Sequence, residues 1–272
     1  MNLAANNIFI RALHDPLPPR VADIVRLISL DRGSPEPLRE DIEQDEELNE
    51  LWLGAGEHQV EHYFKHAIFP NPGPIDSLRR VDRQPMAKHT VPTMGFGLNI
   101  SNPVPDMLYG YNRPRAFHQQ QSQLISMGAE MVANDEGLMH PFLLVEFEGQ
   151  GPSGGGNLWA ATNQCLGGSA SCVNMAETFN QRLRQCRSSS ARPIDSVVFS
   201  VATNGTEARL YVTWCQFQLD YYMARVGSFL LHDPEHYLNF RKYVRNILDW
   251  GNGQRLDRIR GSLDCLFEDG GN

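Results

Sequence analysis

Apolar residues recur at helical spacing three times in the first quarter of the chain. Val21, Ile24, Val25 and Ile28 form one stripe of PRVADIVRLISL, which Pro19 opens, and predict a helix. SPEPLREDIEQDEELNELW predicts a second, with Ser34 as its cap and a dense acidic face that is either solvated or a docking surface for a basic partner. In GEHQVEHYFKHAIF, Val60, Phe64 and Ile68 stand four apart on a third. Residues 70–90, rich in Pro, Asp and Arg, predict a loop. TVPTMGFGLNI and MLYGYNR predict extended segments, and FHQQQSQLISMGAEMVA a helix.

FLLVEFEG has the clearest strand pattern, being β-branched and aromatic and bounded by Pro141 and Gly149. A helical segment from about Asn157 to Cys186 follows, which the glycines of GGSAS are expected to break in two. IDSVVFSVATNG and EARLYVTWCQF, joined at Asn204-Gly205, predict a hairpin, and YYMARVGSFLL another strand. DPEHYLNFRKYVRNILDWG closes as a helix capped by Asp233, with Pro234 at its first position and Gly251 at its end. The mixture predicts an α/β domain over residues 55–272, preceded by a helical, acidic N-terminal extension over residues 1–54.

A composition of 41% apolar and 21% charged residues over 272 positions suits a chain with a substantial core. The net charge of -8 argues against a broad basic surface for nucleic acid and leaves a local basic groove open. Lys65, Lys88 and Lys242 are the only lysines, so positive charge is nearly all arginine. Compositional bias explains that skew, as does bidentate contact with phosphate or carboxylate. Five cysteines at irregular spacing suggest neither a disulfide framework nor a zinc site. No window approaches a membrane span and no basic leader precedes an apolar stretch, so the expectation is an intracellular protein of cytoplasm or nucleus, away from membranes.

The chemistry gathers in FLLVEFEG. Alternation on a strand puts Glu146 and Glu148 on one face with Phe142 and Leu144, and Val145 and Phe147 on the other. Two like charges on a half-apolar face need a cation, arginines or solvent to compensate them. Asp106, directly after Pro105 in NPVPDMLYGYNR, supplies a third acid at the entrance to an apolar strand. Other constellations carry less. His58 and His62 lie four apart beside Glu57 and Glu61 but depart from H-E-x-x-H, and GQGPSGGGN lacks both the Gly-Lys-Ser/Thr of a phosphate loop and GxGxxG spacing. Tyr221, Tyr222, Trp214 and Phe217 could stack bases or pack a core.

VPDMLYGY, FLLVEFEG and ATNQCLGGSASCV, in that order, resemble the PD-(D/E)XK nuclease superfamily, specifically its fungal nuclease-like proteins of unassigned function. The resemblance covers roughly residues 55–250. It implies a restriction-endonuclease-like central mixed sheet flanked by helices, with Asp106 and Glu146 holding Mg²⁺ or Mn²⁺. The metal would polarise a scissile phosphate of DNA or RNA and help generate hydroxide from water. Glu57 or Glu61, from the first core helix, would join the metal ligands, and Gln164 would orient the site. The motif wants Lys two residues after the second acid, where this chain has Glu148. That residue is either a further ligand or a mark of lost catalysis, and Arg182 or Arg184 would have to stand in for the lysine. Two functions follow: a metal-dependent nucleic-acid phosphodiesterase, or a catalytically inactive nuclease-fold protein that engages a protein partner through its acidic N-terminal helices.

Overall fold

The computed structural model describes residues 2–33, 36–93, 100–149, 158–185, 192–217 and 219–269. The amino-terminal stretch forms α1 (Asn2–Ala5), β1 (Ile8–Ile10), α2 (Pro19–Ser29), α3 (Arg39–Glu43) and α4 (Glu46–Trp52). Then come α5 (Glu57–Ala67), β2 (Leu78–Val81), β3 (Met107–Asn112), α6 (Arg113–Ala116), α7 (Gln121–Met127) and β4 (Leu138–Phe147). The chain finishes with α8 (Leu158–Gln185), β5 (Val197–Thr203), β6 (Glu207–Gln216), β7 (Asp220–Leu230), α9 (Pro234–Trp250) and α10 (Leu256–Asp269).

Among the described residues, seven strands form one mixed sheet, ordered β1-β7-β6-β5-β4-β3-β2. β1 runs parallel to β7 and β4 parallel to β5, while every other neighbouring pair is antiparallel. The parallel β4–β5 pair needs a crossover, and α8 provides it. β4 is buried at all ten positions, His140 and Glu146 included, consistent with cover on both faces. One cover is α8, whose Ala161, Cys165, Ala170 and Cys172 pack with Leu144 and Val198. The other is built from α2, α5, α9 and α10, where Phe64, Phe69, Phe147 and Phe240 meet ring to ring. No helix among the described residues is long and apolar enough to cross a membrane.

Several expectations hold. The Asn204-Gly205 turn joins β5 to β6, with Gly205 at φ 89, and Asp233 caps α9 by accepting from the N–H groups of Glu235 and His236. Others need correction. α8 is one unbroken helix through Gly167 and Gly168. A Cβ on Gly168 would stand 2.4 Å from Leu144 Cδ1, so this glycine lets the helix sit close on the sheet rather than ending it. Gly251 does not end α9 either. It keeps helical angles, and a π-turn over Gly251–Arg255 carries the chain into α10. Here a Cβ would strike the Phe142 ring at 2.2 Å.

The acidic helix read over 34–52 is two short helices, the second capped by the Asp45 carboxylate at the Leu48 N–H; Ser34 lies outside the described residues. Residues 1–54 also contribute more than helices. β1 extends the sheet, and Val21, Ile24 and Ile28 of α2 enter the same core as α9. Phe142 does not share a face with Leu144: it packs with Tyr111 and Trp250. The change of side follows a positive φ at His140 (42°) and a register shift between Tyr109 and Tyr111. Most of TVPTMGFGLNI and of GQGPSGGGN lies outside the described residues.

Candidate functional site

Met107 of β3 faces Val145 of β4, so the next step of that antiparallel register brings Asp106 level with Glu146. Asp106 Oδ2 accepts the Phe147 N–H at 2.8 Å, tying the two strand ends together. Glu148, just past β4, keeps to the sheet by donating its N–H to Thr203 O at 2.9 Å. The chain then passes directly over the first turn of α5. A Cβ on Gly149 would lie 2.1 Å from Glu57 N and 2.7 Å from Gly56 C, so only glycine permits this approach. The crossing brings Glu57 and Glu61 of α5 up to the strand acids.

A cation already sits among these acids. Arg83, one residue after Asp82 beyond β2, is held at φ 52 with its N–H donated to Pro105 O at 3.0 Å. Its guanidinium reaches Asp106 Oδ1 at 3.3 Å, Glu61 Oε2 at 2.7 Å and Glu57 Oε1 at 3.2 Å. Lys65, one turn further along α5, takes Glu61 Oε1 at 2.6 Å and Asp82 Oδ2 at 2.7 Å. Both oxygens of buried Glu61 and both of Asp106 are therefore engaged. A non-glycine residue in the left-handed region is strained, and here the strain goes with a side chain that three carboxylates share.

Glu146 stands apart from that cation. It is 2% exposed, and burial, with the charges of Asp106, Glu148 and Glu57, pushes its carboxyl up to about 9, although the Asp106 N–H works the other way. Glu148 is also raised, by burial first and then by Glu57 and Asp106. At neutral pH Glu146 is thus a neutral carboxylic acid. It opens into a cleft of about 540 Å³ with Asn163, Gln164, Gly167, Gly168 and Pro103 on its walls.

The pH consequence has a definite sign. A folded-state value raised above the ordinary 4.5 means that this carboxyl stabilises the fold fully below about pH 4.5 and loses that contribution as pH climbs towards 9. Glu146→Gln, which cannot ionise, is expected to gain on the wild type across that window by up to about 1.4 kcal/mol per pH unit. Urea midpoints of the two proteins from pH 4 to pH 9 check this. A constant gap between them would refute a buried, neutral Glu146.

The structure brings together Asp106, Glu146, Glu148, Glu57 and Glu61, and places Gln164 at the mouth of the cleft beside Glu146. It does not bring Arg182 or Arg184 there. They lie in the last turns of α8, paired with Glu130 and Glu177. The cations that do arrive, Arg83 and Lys65, come from segments that sequence spacing alone does not connect. His58, His62 and His66 lie on the exposed side of α5, where the last two stack with centroids 4.5 Å apart. Trp214 and Tyr221 are core residues, whereas Phe217 is exposed.

A divalent ion does not fit this arrangement. Among the described residues no three His, Cys, Asp or Glu side chains form a group able to hold one. Asp106 and Glu61 have no oxygen without a partner, and a guanidinium occupies the space between the acids. A metal would have to displace Arg83 from these acids.

Residues 47–263 match the family described as Domain of unknown function (DUF7924). No curated protein and no solved structure matches the chain.

Proposed function

The chain belongs to this family of unknown function, and for it we propose a restriction-endonuclease-like protein that has exchanged its metal for an internal cation and works as a binding module. One observation carries the reading: Arg83 lies between Asp106, Glu57 and Glu61. In an acid cluster built for phosphodiester hydrolysis, that space belongs to Mg²⁺ or Mn²⁺. A guanidinium balances the same charge but activates no water. The mixed sheet, the acid-bearing β4 and the following α8 with Asn163 and Gln164 support the ancestry. Glu148 in place of the motif lysine, with the one lysine that reaches the cluster, Lys65, held by Glu61 and Asp82, supports the loss of catalysis. The binding surface in this reading is the acidic pair α3 and α4. There the exposed Glu46, Glu47 and Glu50 run into Trp52 and Leu53, 52% and 83% exposed, which suits a basic partner with an apolar anchor.

A second reading, a working metal-dependent nuclease, is favoured by the cleft that runs from Glu146 to Gln164 and by the half-exposed, displaceable Arg83. Calorimetric titration with Mg²⁺ and Mn²⁺, followed by incubation with DNA and RNA, separates the two. The wild type is expected neither to bind metal nor to cleave. Arg83→Ala frees three carboxylates and is expected to acquire cation binding in roughly the millimolar range. Metal-dependent cleavage by the wild type, lost in Asp106→Ala, would sink the binding-module reading.

A further inference from the structure

Beyond the other end of α5, the loop over residues 70–78 faces the second half of α9 across a cleft of about 530 Å³. Pro72, Ile75, Leu78 and Leu248 give it an apolar wall, and Arg245 enters from α9. Arg245 is half-buried. Among the described residues nothing accepts a hydrogen bond from it or pairs with it, and its Nε is shut off from solvent without a partner. The other charged groups lining the cleft are engaged: Arg32 with Asn246 and Asp249, and Asp76 by accepting the Gly73 N–H at 2.6 Å. Burial, and then the like charges of Arg241 and Arg32, hold Arg245 below its ordinary value, against smaller opposing effects of Tyr109 and Asp249.

Shutting one N–H of a guanidinium off from solvent without an acceptor, on a side chain already beside other cations, is unfavourable unless a ligand compensates it. Its planar fork matches an oxyanion in two-point contact. The cleft volume falls in the range of small-ligand sites, where a few polar groups orient a ligand against an apolar wall. α9 does not end here but continues through the π-turn, so no open carbonyl end of a helix faces the cleft to repel an anion. We propose that this cleft binds a small organic oxyanion, a phosphate or carboxylate on a compact apolar body, with Arg245 gripping the anion and Pro72, Ile75 and Leu248 receiving the body. The site is separate from the carboxylate cluster, and neither reading depends on the other.

Calorimetry on the full chain with phenyl phosphate, benzoate, phenol and inorganic phosphate tests it. Phenyl phosphate or benzoate is expected to bind, the tighter of the two identifying the anion, with phenol and inorganic phosphate each at least about tenfold weaker. Arg245→Met is expected to weaken binding by about tenfold or more while leaving the urea midpoint unchanged or raised, since an unpaired charge has gone. No binding of either aryl anion, binding unchanged in Arg245→Met, or inorganic phosphate binding as tightly as phenyl phosphate would each overturn the proposal. So would a marked fall in stability with Arg245→Met, which would make the residue a packing element.

Discussion

Gly149→Ala is expected to lower stability by about 3 kcal/mol or more, or to prevent folding outright. The added methyl would stand 2.1 Å from Glu57 N and 2.9 Å from Glu57 Cα, against helix backbone. A long side chain could swing aside from such a contact, whereas two backbone segments yield only by moving apart. On one side of this crossing lie Asp106, Glu146 and Glu148, on the other Glu57 and Glu61. Separation therefore also stretches the contacts that Arg83 makes across it. Thermal melting should show a fall of about 6–12 °C. Gly253→Ala, which meets nothing within 4 Å, is the matched control and should change little. A Gly149→Ala melting curve equal to that of the control would show that the crossing is looser than its geometry.

The second large effect concerns Arg255, which is fully buried in the π-turn between α9 and α10. No ion pair holds it among the described residues. Its Nη1 donates to His140 O at 2.9 Å and to the Tyr111 hydroxyl at 3.1 Å, and its Nε and Nη2 have no partner. The rings of Phe142, Tyr111 and Trp250 surround it, with centroids 5.4, 5.5 and 5.8 Å from Cζ, so aromatic faces take the place of a carboxylate. Arg255→Ala removes both donors and leaves a cavity among large rings, which is expected to cost about 3–5 kcal/mol. Arg255→Met fills most of that space without a charge and is expected to stay within about 1.5 kcal/mol of the wild type or to exceed it. Urea unfolding of both variants decides whether volume or charge matters at this position. Equal losses in the two would point to the hydrogen bonds and aromatic contacts of the guanidinium itself.

The strand pattern at 142–149, the Asn-Gly turn and the Asp-Pro start of α9 could all be read along the chain, because each is decided by neighbours a few residues apart. The glycines could not. Gly168 and Gly251 have the local look of breakers, yet each is small because Leu144 or Phe142 presses on it from β4. The same limit applied at the site. Asp106, Glu146 and Glu148 were legible as acids on strand ends. Arg83 was not, since its place depends on a backbone hydrogen bond to Pro105 and on α5 crossing beneath Gly149. A cation that closes such a cluster leaves no spacing to detect, only an arginine in a loop rich in arginines.

The pairing of β1 sets the order in which the protein can be finished. Ile8, Phe9 and Ile10 leave the ribosome ahead of the other strands of the sheet, yet their partners Tyr221, Tyr222 and Met223 emerge only after the rest of that sheet has been made. Until then the early strand has nothing to add to, and β7, once formed, presents a bare edge to any chain nearby. The strand made before the other six is thus the one that can be added only after the last of them.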